Sequence, residues 1–325
     1  MSGSKDARRW RPSLRLLALC AAVVSLGADA ATARPRPTTR PRPRRGAPTH
    51  ANVKYGPYAR NVLDFWRADT AESAPVLICF HGGGFVAGDK RAYARAARLY
   101  VPLGISVVSA NYRFVRGPGS SPFPGTMHDG ARVVQFVRHQ AAAWNVDPKR
   151  IALTGGSAGA CMAIWIALHD DLADPDSDDP VARQSSRVTC VVSHNGQTFV
   201  DPRLILKHIG GSPRIHPSLL AGFAAKTAAD LEKPAFRKQI EAASAINHAT
   251  KDDPPLLLIY GGRLDDAPLP ATASINKSIH HPMFGKVLKD TLDPLGVACL
   301  LYHRDHRPPR GAETAFLKKH LKIAD

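Results

Sequence analysis

Six short apolar runs, at residues 76–80, 105–110, 151–154, 188–193, 256–260 and 297–302, do not alternate with polar residues. A strand with one wet face alternates and a strand covered on both faces does not, so these runs predict a parallel sheet with helices on either side. Helix-like segments lie between them. Those at 90–103 and 275–295 are followed by Gly104 and Gly296, and a glycine just past the last turn can take the left-handed conformation that stops a helix. This alternation specifies a doubly wound α/β fold, and residues 52–66 are expected to add antiparallel strands ahead of its parallel part. Residues 197–253 are polar, rich in Pro and Gly, and hold helical pieces at 217–226 and 233–245. They lie between two expected strands and are read as a lid over the carboxyl ends of the sheet. The acidic stretch from Asp170 to Arg187 is expected to be a surface loop.

Two glycine motifs carry chemistry. Gly155-Gly156-Ser157-Ala158-Gly159 sits between the run at 151–154 and an apolar helical stretch at 160–168. A strand-to-helix bend this tight strains the serine backbone and lifts its hydroxyl above the sheet, where it can act as a nucleophile. The glycines at 155 and 159 let strand and helix approach closely. His81-Gly82-Gly83-Gly84 directly follows the run at 76–80. Its consecutive amides, unobstructed by side chains, can bind the oxygen that becomes negative when a serine attacks a carbonyl. Gly83 and Gly84 are the expected donors, with the amide of Ala158 as a third. A phosphate-binding loop would place Lys-Ser/Thr at the start of a helix, and Phe85-Val86-Ala87-Gly88 supplies no such pair.

With these residues the chain resembles the α/β-hydrolase-fold serine esterases and lipases of the hormone-sensitive-lipase and feruloyl/acetyl-esterase-like type. The resemblance covers most of residues 52–306. It also rests on Leu63-Asp64-Phe65, Gly88-Asp89-Lys90, Asn111-Tyr112-Arg113, Phe123-Pro124 with Asp129, and Asp147-Pro148-Lys149-Arg150-Ile151. It implies hydrolysis of acyl esters without metal or cofactor. Only a linker precedes the sheet, where hormone-sensitive-lipase members carry a helical cap, so the feruloyl/acetyl-esterase-like branch fits better. The resemblance implies a triad in the order serine, acid, histidine. The family pattern puts the acid three residues past a glycine, which matches Gly262 and Asp265, with Asp266 as the alternative. The base is expected in the loop after the last strand, at His306 or else His303. His280 and His281 come early for the usual topology and could line the pocket. His81, Arg113 and Asp129 read as scaffold. Gln197, at the carboxyl end of a strand, could touch substrate or cap the strand end.

The chain ends bound where such a protein would work. Residues 1–33 combine a basic start (Lys5, Arg8, Arg9, Arg11, Arg15) with an apolar stretch at 16–26 and small residues after it. That is the pattern of a secretory signal peptide, too short in its apolar part to span a membrane. Export to the periplasm or medium is expected ahead of retention by an uncleaved anchor. Residues 34–50 hold six arginines alternating with prolines, an extended and solvated linker. It could contact polyanions or anionic surfaces, and a plain spacer is the simpler reading. Much of the +17 formal charge lies in these two segments, so residues 51–325, the catalytic domain, are only mildly basic. No basic-aromatic surface suggests nucleic acid. His303-x-x-His306 has no third ligand nearby in sequence and no H-E-x-x-H occurs, so no metal site is expected. Cys79, Cys161, Cys190 and Cys299 fall in expected buried strands and a buried helix and read as small hydrophobes.

The expected activity is hydrolysis of carboxylic esters of short or medium acyl groups, with acetyl or aromatic esters of carbohydrates as candidates. The substrate would be a small molecule or a polysaccharide-borne ester. The rival readings are a peptidase or amidase on the same fold, and a non-catalytic binding protein that keeps the fold.

Overall fold

The computed structural model describes residues 46–323; the signal-like segment and linker residues 34–45 lie outside the described residues. Among the described residues, eight strands form one sheet: β1 (His50–Lys54), β2 (Val62–Trp66), β3 (Ala74–Phe80), β4 (Ser106–Ala110), β5 (Val146–Gly156), β6 (Cys190–His194), β7 (Leu256–Ile259) and β8 (Cys299–Tyr302). Their order across the sheet is β1-β2-β4-β3-β5-β6-β7-β8. β1 pairs antiparallel with β2, and β2 antiparallel with β4. Every pairing from β4 to β8 is parallel. The expected layout, leading antiparallel strands before a parallel sheet, is the one observed. β1 begins at His50, and Trp66 Nε1 donates to the Gly46 carbonyl at 3.1 Å. Residues 46–50, assigned to the linker by composition, therefore belong to the folded part.

The unalternated strands are buried on both faces. Along β3, Val76, Ile78 and Phe80 enter one hydrophobic layer, and Leu77 and Cys79 enter the other. The first layer packs under α2 (Gly125–His139), α3 (Ala141–Trp144) and the wholly buried α4 (Ala158–Leu168). The second is covered by α1 (Ala94–Tyr100) and by α10 (Ala312–Leu321), through Phe316, Leu317 and Leu321. Among the described residues, Cys79, Cys161, Cys190 and Cys299 are all buried and free. Burial in apolar surroundings pushes the Cys161, Cys190 and Cys299 thiols up to about 12, which makes them fillers of the core rather than nucleophiles.

The excursion between β6 and β7 is helical, with α5 (Pro202–His208), α6 (Pro217–Gly222) and α7 (Pro234–Ala243). Each opens on a proline, whose fixed φ and missing N–H suit the first helical turn. The acidic stretch after α4 is irregular. Gln135 of α2 ties it down by donating to the Leu172 and Gln184 carbonyls at 3.0 and 2.9 Å. Gly104 and Gly296 both adopt the left-handed conformation, with φ of 78° and 75°.

The segment 275–295 departs from expectation. It is not one helix but α8 (Ile275–Ile279), a break at His280-His281-Pro282, then α9 (Met283–Leu292) and a final 3₁₀ turn. Pro282 has no N–H to continue the ladder and restricts the residue before it. It is well placed to start α9 and badly placed to continue α8.

The turn from β5 into α4 allows no side chains on its glycines. A Cβ at Gly159 would lie 2.0 Å from the Phe80 carbonyl oxygen, and one at Gly155 would lie 2.3 Å from the Gly159 carbonyl carbon. Gly159→Ala is therefore expected to overpack this turn by about 1–3 kcal/mol. Thermal denaturation should read that as a Tm lower by roughly 3–10 °C.

Candidate active site

Ser157 sits between β5 and α4 with φ 53° and ψ −118°. A side-chain-bearing residue holds such a conformation only when its surroundings dictate it. Here its N–H donates to the His194 carbonyl at the end of β6, 2.8 Å away, while its own carbonyl accepts from Cys161 N at 2.9 Å in the first turn of α4. The hydroxyl is left partly exposed at the carboxyl edge of the sheet.

The glycine loop after β3 lies against this elbow. A Cβ at Gly82 would stand 2.8 Å from the Gly156 oxygen and 3.6 Å from Ser157 Cβ. Gly83 and Gly84 have φ of 110° and 60°, conformations that glycine adopts at no steric cost. The loop is braced from below. Tyr112 Oη donates to the His81 carbonyl at 2.6 Å, and the His81 ring stacks on Tyr112 with centroids 4.4 Å apart. Lys90 forms a buried ion pair with Asp64 at 2.6 Å, and its amide donates to Asn111 Oδ1. Arg113 is paired with Asp129 at 2.7 Å. His81, Arg113 and Asp129 are thus scaffold. Of the expected oxyanion donors, Gly84 and Ala158 line one cleft with Ser157. Ala158 opens α4, where first-turn amides have no partner within the helix. Gly83 is not among the residues lining that cleft, and its carbonyl accepts from Val86 and Ala87.

The imidazole at the serine is not the expected one. His280 Nε2 lies 2.8 Å from Ser157 Oγ. His306, the expected base, is exposed, stacks on Tyr302 with centroids 5.1 Å apart, and closes a tight turn with His303 through main-chain bonds. The His303 ring points to Asp305, 3.8 Å away. The structure therefore corrects the position. The short β8 loop is committed to its own turn, and the break at Pro282 leaves His280 at the end of α8, facing the elbow.

Among the described residues, no carboxylate hydrogen-bonds the His280 ring. Its ring hydrogen-bonds the main chain of Asn276, one turn earlier in α8. Asp265, the expected acid, has a side chain 69% exposed and pairs with Arg263 at 3.2 Å, which holds its carboxyl below the usual range. Asp266 pairs with Lys277 at 3.1 Å. The pair at the serine is thus Ser157–His280, with a peptide carbonyl where the resemblance implies an acid. Gln197 lines the cleft and donates to the Ile279 carbonyl at 2.5 Å. His281 is buried, is not among the residues lining the cleft, and accepts from Met283 N at 3.1 Å.

The cleft over Ser157 is small and open to solvent, with a cavity volume of about 50 Å³. Its walls are mostly apolar, with Phe85 and Phe123 from the body and Phe199, Ile205 and Leu219 from the helical excursion. The excursion also brings His216, whose Nδ1 accepts from Ser218 N at 3.1 Å. Burial favours the neutral form of His280 and lowers its pKa, and the nearby His216 lowers it further, against the raising effect of the Asn276 carbonyl.

A mostly parallel eight-stranded sheet, a strained serine after β5 and a glycine loop after β3 define an α/β-hydrolase-fold protein. Within that class the chain belongs to the BD-FAE family, whose model matches residues 63–277. The match stops three residues short of His280. A probable carboxylic ester hydrolase, LipM, of Mycobacterium tuberculosis is 29% identical over 215 residues, 65% of this chain and 47% of the relative. Esterase LipQ of the same organism is 40% identical over 131 residues, 38% of this chain and 30% of the relative. The chain thus spans half or less of the length of these relatives. Among solved structures, a truncated carbohydrate esterase from gut microbiota matches with a TM-score of 0.62 at 20% identity, over 84% of this chain and 96% of that one. An acetyl ester-xyloside bifunctional hydrolase from Caldicellulosiruptor lactoaceticus matches with a TM-score of 0.57 at 23% identity, over 81% and 85%. These likenesses fix the fold.

The electrostatics can be read directly by NMR. The His280 imidazole should titrate below the ordinary histidine value of about 6.5. In His216→Ala, where a like charge is removed and water is admitted, the midpoint should move up.

Proposed function

We propose that this protein is a serine esterase in which Ser157 is the nucleophile and His280 the general base. The observation that carries this reading is the 2.8 Å contact between the two, beside the glycine loop. His280 Nε2 takes the Ser157 proton as Oγ attacks the ester carbonyl. The developing oxyanion is met by the amides of Gly84 and Ala158, with Gly83 holding the turn of the glycine loop. The imidazolium then protonates the departing alcohol. A water deprotonated by His280 releases the acid from the acyl-enzyme. The Asn276 carbonyl performs the orienting part of the acid's role: by accepting from the ring it favours the tautomer whose Nε2 lone pair faces Ser157. It is a dipole rather than a charge, so it stabilises the imidazolium less than a carboxylate would.

The apolar cleft suits short and medium acyl groups, aromatic ones included. Carbohydrate esterases among the structural neighbours and the signal-like pattern at residues 1–33 support an external, carbohydrate-borne ester as the natural substrate. The arginine-rich linker would suit adhesion to polyanions.

Turnover of p-nitrophenyl acetate against a p-nitroanilide tests the reaction class, and ester cleavage should prevail. Ser157→Ala and His280→Ala should each lower ester kcat at least about 10³-fold, whereas His306→Ala, His303→Ala and Asp265→Asn should stay within a few-fold of wild type. Turnover needs neutral His280, whose pKa is lowered. Activity should therefore hold as pH falls to the ordinary histidine value of about 6.5 and be lost only below it.

A further inference from the structure

α8 is a poor platform for a base. It has five residues, and Pro282 follows two residues after His280. An isolated turn of this length does not hold its shape. Its N-terminal cap is local, with Ser274 Oγ accepting from Lys277 N at 3.2 Å. At the other end, the carbonyl of Ile279 belongs to the peptide that links Ile279 to His280. Gln197 Nε2 donates to it at 2.5 Å. That bond fixes the plane from which the imidazole hangs.

The segment carrying Gln197 also fixes the nucleophile. The His194 carbonyl accepts from Ser157 N at 2.8 Å. Between the two contacts the segment is locked to the next strand. Asn195 N donates to the Ile259 carbonyl at 2.8 Å, and Asn195 Oδ1 accepts from Gly261 N at 2.9 Å. The 194–197 segment thus contacts Ser157 at one end and the Ile279–His280 peptide at the other.

We propose that Gln197 is a positioning residue for catalysis: its amide clamps the Ile279–His280 peptide and, through the 194–197 segment, sets the imidazole in register with Ser157. The inference rests on the reading of His280 as base. It differs from a substrate contact or a strand cap, the two roles the sequence allowed for this glutamine. No bond to substrate is required of Gln197, so its loss should appear in kcat and leave KM alone. Misplacement of a reacting group by about 1 Å costs up to about 100-fold in rate.

The test uses the full-length protein with p-nitrophenyl acetate as substrate and a small fluorophosphonate as a probe of Ser157 reactivity. Gln197→Ala should lower kcat and the phosphonylation rate together, by about 10- to 100-fold, with KM within about twofold and an unchanged circular dichroism spectrum. Gln197→Glu keeps the volume but has no donor while ionised; protonated, it regains one. The ratio of its kcat to that of wild type should rise as pH falls from about 8 to about 5. A structural filler would give no such rise. Wild-type kcat in Gln197→Ala, a change confined to KM, or a flat ratio for Gln197→Glu would each overturn the inference. His280→Ala separates the levels: an inactive His280→Ala beside a fully active Gln197→Ala sinks the clamp alone, whereas an active His280→Ala sinks the assignment of the base and the clamp with it.

Discussion

A hydrogen bond of 2.8 Å between Ser157 Oγ and His280 Nε2 requires a strained turn and a very short helix to meet. One is the elbow, where a serine is held at positive φ because the glycines around it admit the Phe80 carbonyl and the start of α4 at distances no Cβ could tolerate. The other is a one-turn helix stopped by proline. Neither holds by itself. The sheet supplies the rest: the end of β6 bonds the elbow on one side and the β7 exit on the other, so the geometry of the pair is inherited from the most buried part of the fold.

Among the described residues, the pair has no charged partner hydrogen-bonded behind the imidazole. Burial and His216 keep His280 neutral, the form a base must have. The place where a carboxylate is expected has been given to something else. Arg263 bridges Asp265 and Asp305 at 3.2 and 3.5 Å, and Arg304 N donates to the Gly262 carbonyl at 2.9 Å. The loops after β7 and β8 are thereby tied to each other at the surface, where exposed ion pairs contribute little to stability but do fix which way the carboxylates face.

The strands were legible because burial on both faces suppresses alternation, and that rule does not depend on context. The stops at Gly104 and Gly296 were legible because left-handed backbone is costly for other residues. Ser157 could be read from its neighbours, since the glycines at 155 and 159 make sense only where strand and helix nearly touch. His280 was harder. Apolar residues from Ile275 to Leu292 keep helical spacing through the break, and that periodicity masks it. The local signal was Pro282, which cannot continue a helix, with two histidines just before it. A histidine after the last strand is what the resemblance implies, but His306 is held in a turn with His303 and stacked on Tyr302. The excursion between β6 and β7 was legible as an insertion. Its contribution to the cleft, Phe199, Ile205, His216 and Leu219, depends on tertiary packing that composition does not encode.

The most direct test is a crystal structure of the protein phosphonylated at Ser157, because the adduct resembles the tetrahedral intermediate. The account predicts a phosphoryl oxygen within hydrogen-bonding distance of the Gly84 and Ala158 amides, with the His280 ring beside Oγ and still bonded to Asn276. A phosphoryl oxygen turned away from the glycine loop, or the ring of His306 or His303 in place of His280, would contradict it.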